Sequence, residues 1–148
     1  MRHHSLAVML LSCLFPAAAW AAPAPCSLVD RETLAALSLG DAVTKVEHKT
    51  VPARGQVPEQ HVDVCTITPR GGASPSLSIM VMPLAGATSS AKPACHDNTV
   101  KNVGMASCFG VARGRMVTVS LVSPQATFAA LNATLRARFG RMVDGAGQ

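Results

Sequence analysis

The sequence predicts an α+β domain: an antiparallel sheet of about five strands, with an N-terminal and a C-terminal helix packed on one face. Three observations carry that prediction. Period-2 and period-3.6 patterns follow one another in the order α-β-β-β-β-β-α, which suits a sheet whose helices share one side. Phe128, Leu131, Leu135, Phe139 and Met142 recur at helical spacing, so a long final helix lays one apolar stripe on the sheet. Finally, 148 residues with 49% apolar and 14% charged content make one core, in a chain too apolar to stay unfolded.

The N-terminus reads as an address. Met1-Arg2-His3-His4 is a short basic stretch, Leu6 to Phe15 is apolar, and Pro16 ends that run before small residues that continue to Ala22. This is the order of a secretory signal peptide. Ala19-Trp20-Ala21 supplies the small-x-small site, so cleavage is expected after Ala21. Residues 22–148 are then a single exported domain, periplasmic or secreted. The alternative treats Leu10-Leu11-Ser12-Cys13 as a lipoprotein box with Cys13 lipidated, but the apolar run continues past that cysteine. No other run reaches the roughly 18 apolar residues that span a bilayer, so the mature chain is expected to have no transmembrane segment.

Without residues 1–21 four cysteines remain: Cys26, Cys65, Cys95 and Cys108. An even number in an exported chain reads as two disulfides, and no C-x-x-C pair suggests zinc instead. Three pairings are possible. Cys26–Cys65 with Cys95–Cys108 is favoured, because the second bond closes a single surface loop.

Each element has a local reason. Pro23 and Pro25 stiffen the lead-in. A first helix is expected over Asp30–Leu39, capped by Asp30, carrying Leu34 and Leu37 on one stripe and stopped by Gly40. Residues 44–51 put Lys45, Glu47 and Lys49 on one face and His48 on the other, the pattern of an exposed edge strand. Residues 52–60 form a loop. Residues 61–68 alternate Val62, Val64 and Thr66 against Cys65 and Ile67. A Gly- and Pro-rich turn over 69–75 leads to a strand at 76–82, apolar on both faces and therefore central. Residues 84–98, small, polar and proline-containing, are expected to be a long loop pinned by Cys95. Residues 105–112 and 115–122 make a hairpin around Arg113-Gly114. Ser123 then caps the final helix, Pro124 sits in its first turn, and residues 144–148 fray.

Short motifs along this frame are similar to a known family. They are Pro25-Cys26-Ser27-Leu28 opening a helix that ends at Leu39-Gly40, Cys65-Thr66-Ile67-Thr68 in a middle strand, and Val103-Gly104-Met105-Ala106 before a hairpin and a long terminal helix. Together they resemble small secreted or lipid-anchored bacterial envelope domains with a Mog1/PsbP-like α+β fold. The resemblance implies a curved antiparallel sheet with helices on one side and a bond between Cys26 and Cys65. It supplies no activity. The chain departs from the pattern by lacking an aromatic residue after the strand cysteine and by adding Cys95 and Cys108.

Charge and motif narrow the function. Loss of Arg2 leaves twelve basic against eight acidic residues, a net of +4, with residues 22–63 at −2 and 64–148 at +6. Three of the basic residues fall near the end of the last helix, where they complement its dipole. The mature chain holds no Trp and no Tyr, which argues against single-strand nucleic acid and sugar ligands, both of which use aromatic platforms. No G-x-S-x-G, S-x-x-K, H-E-x-x-H or P-loop is present, and the cysteines are committed to disulfides. A non-catalytic binding module without cofactor is therefore expected. Its partner would be another envelope or secreted protein, as for an inhibitor or immunity-type protein. Arg113 and Arg115, at a hairpin tip, are candidate contacts for a carboxylate or phosphate. The competing class is a copper- or lipid-carrying accessory protein. Copper would use His48 and His61, facing one another across paired strands, with Met80 and Met82; the plainer role for the methionines is filling a core poor in aromatics.

Overall fold

The computed structural model describes residues 23–56, 58–84 and 91–148. The expected signal peptide, its cleavage site and Cys13 lie outside the described residues. The sheet has six antiparallel strands: β1 (Ala42–Val51), β2 (Gln60–Pro69), β3 (Ser76–Pro83), β4 (Ala91–Val100), β5 (Val103–Ala112) and β6 (Arg115–Pro124). Their spatial order is β1-β2-β3-β6-β5-β4. A 3₁₀ turn (Pro25–Leu28), a short helix α1 (Arg31–Ala36) and a long helix α2 (Gln125–Ala146) complete the fold.

β4 corrects the loop expected over 84–98 from residue 91 onward and adds a sixth strand; residues 85–90 of that expected loop lie outside the described residues. Lys92, Pro93, Asp97 and Asn98 are poor strand formers. At the sheet edge, however, β4 need pair on one side only, and Pro93 falls where its register against β5 shifts, between Ala91 and Ala94. Tertiary contacts supply what propensity lacks. Cys95 is bonded to Cys108 directly opposite. Asp97 accepts from Asn132 Nδ2 on α2 at 2.8 Å and pairs with Arg136 at 3.2 Å.

Side-chain alternation gives the sheet an inner face, under α2, and an outer face. Inward-pointing Cys65, Ile67, Leu77, Ile79, Val117, Val119 and Leu121 are all 0–1% exposed. α2 meets them with Phe128, Leu131, Leu135, Phe139 and Met142, the expected stripe, all buried. It approaches closely over β5 because Gly104 and Gly110 leave room. A Cβ on Gly104 would fall inside the Phe128 ring, and one on Gly110 would lie 2.7 Å from Val143 Cγ2.

The helix ends differ from expectation. α1 stops at Ala36, not Leu39. The chain turns through Ser38, at φ 60°, and this sends Leu37 and Leu39 both into the core, which no continuing helix could do. Asp30 caps as expected, accepting from Thr33 N–H at 2.6 Å. At α2, Ser123 is still in β6 and buried; Pro124 flanks the helix, and Gln125 N–H donates to Asn102 O at 2.8 Å. Residues 144–146 do not fray. Ala146 is fully buried, and its carbonyl accepts from Arg115 Nη1 at 2.9 Å.

Candidate functional site

Both disulfides follow the favoured pairing. Cys26–Cys65 ties the 3₁₀ turn to the inner face of β2, and Cys95–Cys108 joins β4 to β5. The first closes a sequence separation of 39 residues, the second one of 13.

Arg113 and Arg115 do bracket a hairpin tip. Arg113 (φ 47°) and Gly114 (φ 73°) are the two central residues of a tight turn in which both positions are left-handed, the type that matches strand twist. Arg115, however, points along the inner face to the C-terminal end of α2, where a guanidinium favours the negative pole of the helix. The two line one cleft of about 250 Å³ together with Gly147 and Gln148.

His48 and His61 do not sit opposite each other. The β1–β2 register sets His48 against Asp63 and Thr50 against His61. His48 Nδ1 lies 2.5 Å from Asp63 Oδ1, and His61 Nδ1 lies 3.2 Å from Thr50 Oγ1. The His48 side chain is 85% exposed, so this is a solvent-facing contact, not a desolvated dyad. Both histidines are on the inner side of the β1–β2 pair, while Met80 and Met82, paired with Thr118 and Met116, are on the outer face. The four residues do not converge. No group of three His, Cys, Asp or Glu able to hold a metal ion occurs among the described residues.

Several open clefts mark the surface, one beside His61 and Asp63 and another beside Arg113 and Asp144. One of about 410 Å³ lies between α1 and β1, lined by Arg31, Leu34, Leu39, Ala42 and Thr44 among others, with no acid or base partner for the arginine. The ion pairs are peripheral. Glu32 accepts from Arg138 at 2.6 Å, and that guanidinium holds the Glu32 carboxyl below its ordinary range. Glu47 bridges Lys45 at 2.7 Å and Lys49 at 3.5 Å along the β1 edge, as the sequence pattern anticipated.

The outer face is the feature that sequence reasoning missed. No described helix covers it. Of the six large apolar side chains that are conspicuously exposed, five (Val43, Val100, Val103, Met105 and Phe109) point to this side, so the exposure is concentrated. The register arranges the face in rows. One row runs Val64, Met80, Thr118 and Phe109; beside it, Met82 faces Met116, which faces Val111. The next row is polar without charge: Thr66, Ser78, Ser120 and Ser107, ending in Lys45 at one edge and His96 at the other. Ser107 and Ser120 hydroxyls are 3.1 Å apart. From β2 through β3, β6 and β5 no Lys, Arg, Asp or Glu points to this side. His96, expected in a loop, is on β4 and stacks on Phe109 with centroids 5.9 Å apart. The signal was available in part: Met80 and Met82 share a strand face, but only the register shows Met116 and Phe109 to share their rows across strands.

No helix of the described residues is long and apolar enough to cross a membrane. No family model, curated protein or solved structure matches the chain.

Proposed function

We propose that the chain is a non-catalytic, exported binding module that recognises another envelope or secreted protein, as an inhibitor or immunity-type protein does. The observation that carries this reading is the outer face of the sheet, over which no described helix packs and to which β2, β3, β6 and β5 send no charged side chain. Met80, Met82, Met116 and Phe109 lie there in two adjacent rows, which a row of hydroxyls separates from Met105. Protein interface cores have this composition, rich in methionine and aromatics and depleted in charge, and contiguous exposed apolar surface marks interaction sites. Two disulfides suit an oxidising compartment. The sheet with helices on one side is compatible with the Mog1/PsbP-like envelope domains that the motifs resemble. A copper carrier draws no support from the placement of His48 and His61 away from Met80 and Met82.

The test is affinity capture from the export compartment followed by native mass spectrometry, for the wild type and for Phe109→Lys. Phe109 is 39% exposed, so this variant should fold. The expected result is one stoichiometric protein partner, retained by the wild type and lost by Phe109→Lys at unchanged melting temperature. A retained lipid or copper ion with no protein partner would overturn the reading.

A further inference from the structure

We propose that in the absence of that partner the open face is occupied by a second copy of this chain, the two sheets packing face to face about a two-fold axis parallel to the strands. The proposal rests on the reading that this face is the binding surface. Three observations select a second copy.

The first is area. The four strands β2, β3, β6 and β5, about 4.8 Å apart and each about eight residues long at about 3.3 Å per residue, present roughly 500 Å². Two copies then bury about 1,000 Å² in total, the least that a biological interface is expected to bury. The second is charge. The domain carries a net positive charge once residues 1–21 are set aside, which would ordinarily keep copies apart. Yet β2, β3, β6 and β5 put no charged side chain on this face; Arg136, Arg138 and Arg141 are on α2, behind the sheet, and Arg113 is at a hairpin tip. Like-charge repulsion between copies is therefore minimal over those four strands, and the charges that β1 adds to the face, Lys45, Glu47 and Lys49, are of both signs and paired with one another.

The third is self-complementarity. Rotation about an axis parallel to the strands reverses strand order but keeps each row at its own height. It lays β3 over the partner copy's β6, the apolar rows over apolar rows, and the Thr66-Ser78-Ser120-Ser107 row over its own image. Hydroxyls both donate and accept, so a hydroxyl row satisfies itself. An isologous interface requires this property. An axis across the strands would instead set the row containing Met82 and Met116 on that containing Ser76 and Val122.

The experiment is sedimentation equilibrium of the exported full-chain product over a concentration series, with circular dichroism confirming that each variant is folded. Wild type and Glu59→Lys, altered in the β1–β2 loop, should show the same reversible monomer–dimer equilibrium. Phe109→Lys should weaken the dimer by about tenfold or more, because it replaces an apolar ring with an ammonium taken out of water over Val64 of the second copy. Met80→Lys and Thr118→Glu occupy one row on adjacent strands, and the axis brings each over the other in a mixed dimer. Each alone should be monomeric, and an equimolar mixture should dimerise. A wild type that stays monomeric throughout, or a dimer indifferent to Phe109→Lys, overturns the proposal. If the wild type is monomeric but Phe109→Lys still loses the captured partner, only the second copy is refuted. If Phe109→Lys alters neither, the binding-face reading fails as well.

Discussion

The two faces of the sheet are built from the same strands under opposite rules. Inward, β5 offers Gly104, Ala106, Cys108, Gly110 and Ala112, a groove of small residues that lets α2 approach, while β2, β3 and β6 offer Ile, Leu and Val. Outward, the same β5 offers Val103, Met105, Ser107, Phe109 and Val111, side chains with nothing described above them. The inner face is a finished core of close-packed, complementary shapes. On the outer face no described element packs. One strand can serve both because alternation makes its two faces independent, and the difference yields predictions in descending order of effect.

The largest concerns what pins the inner face. Replacing Cys26 and Cys65 together by alanine should cost about 4 kcal/mol, and replacing Cys95 and Cys108 about 3 kcal/mol, since the longer loop loses more closure entropy. Equilibrium denaturation of both double variants checks the order. Equal costs would mean that the ties to β2 and to β4 act through something other than loop length.

Next comes a direct contrast on β5. Gly104→Val drives side-chain atoms into the Phe128 ring and should cost about 3 kcal/mol or more, whereas Ser107→Val on the outer face should stay within about 1 kcal/mol. Similar values from denaturant midpoints would remove the asymmetry between the faces.

A smaller effect tests the end of α2. Arg115→Gln removes the guanidinium donor to the Ala146 carbonyl and should cost about 1 kcal/mol, with faster amide exchange over residues 142–146. Unchanged exchange there would mean that burial of Ala146 alone holds the last turn.

The smallest is electrostatic. The Glu32 carboxyl is held below its ordinary pKa, first by the hydrogen bond from Arg138 and then by its charge. A group with a depressed folded pKa contributes stability that is present above its ordinary value and lost as pH falls through the folded one. The stability gap between wild type and Glu32→Gln should therefore close in acid, below the carboxylate range. The pair is solvent-facing, with the Glu32 side chain 70% exposed, so added salt should shrink the gap too. A gap independent of both pH and salt would point to packing instead of charge.

Much of this architecture was legible before any coordinates. Four of the strand segments at 44–51, 61–68, 76–82 and 115–122 announce themselves through alternation or apolar content, and β5 through its hairpin partner. The α2 stripe and the Asp30 cap are equally local signals. β4 was not legible, because Lys92, Pro93, Asp97 and Asn98 have no strand preference and are held by Cys108, Asn132 and Arg136 from elsewhere in the chain. The α1 terminus was misplaced for a similar reason: a glycine is a good stop signal, but burying Leu37 and Leu39 together outweighs it. Of the candidate site residues, Arg113 lay where hairpin chemistry put it, whereas Arg115 was drawn to the end of α2 by a helix that sequence reading let fray.

What the sequence determined by itself is therefore the identity of the two faces of the strands other than β4, the even cysteine count and the stripe of the terminal helix. What only the tertiary structure decided is which faces become neighbours. The order β1-β2-β3-β6-β5-β4 brings Met80 beside Thr118 and Phe109, and sends His48 and His61 to the other side. Strand order is settled by closing long loops at an entropic cost repaid in burial, a balance of the whole chain that local pattern does not record.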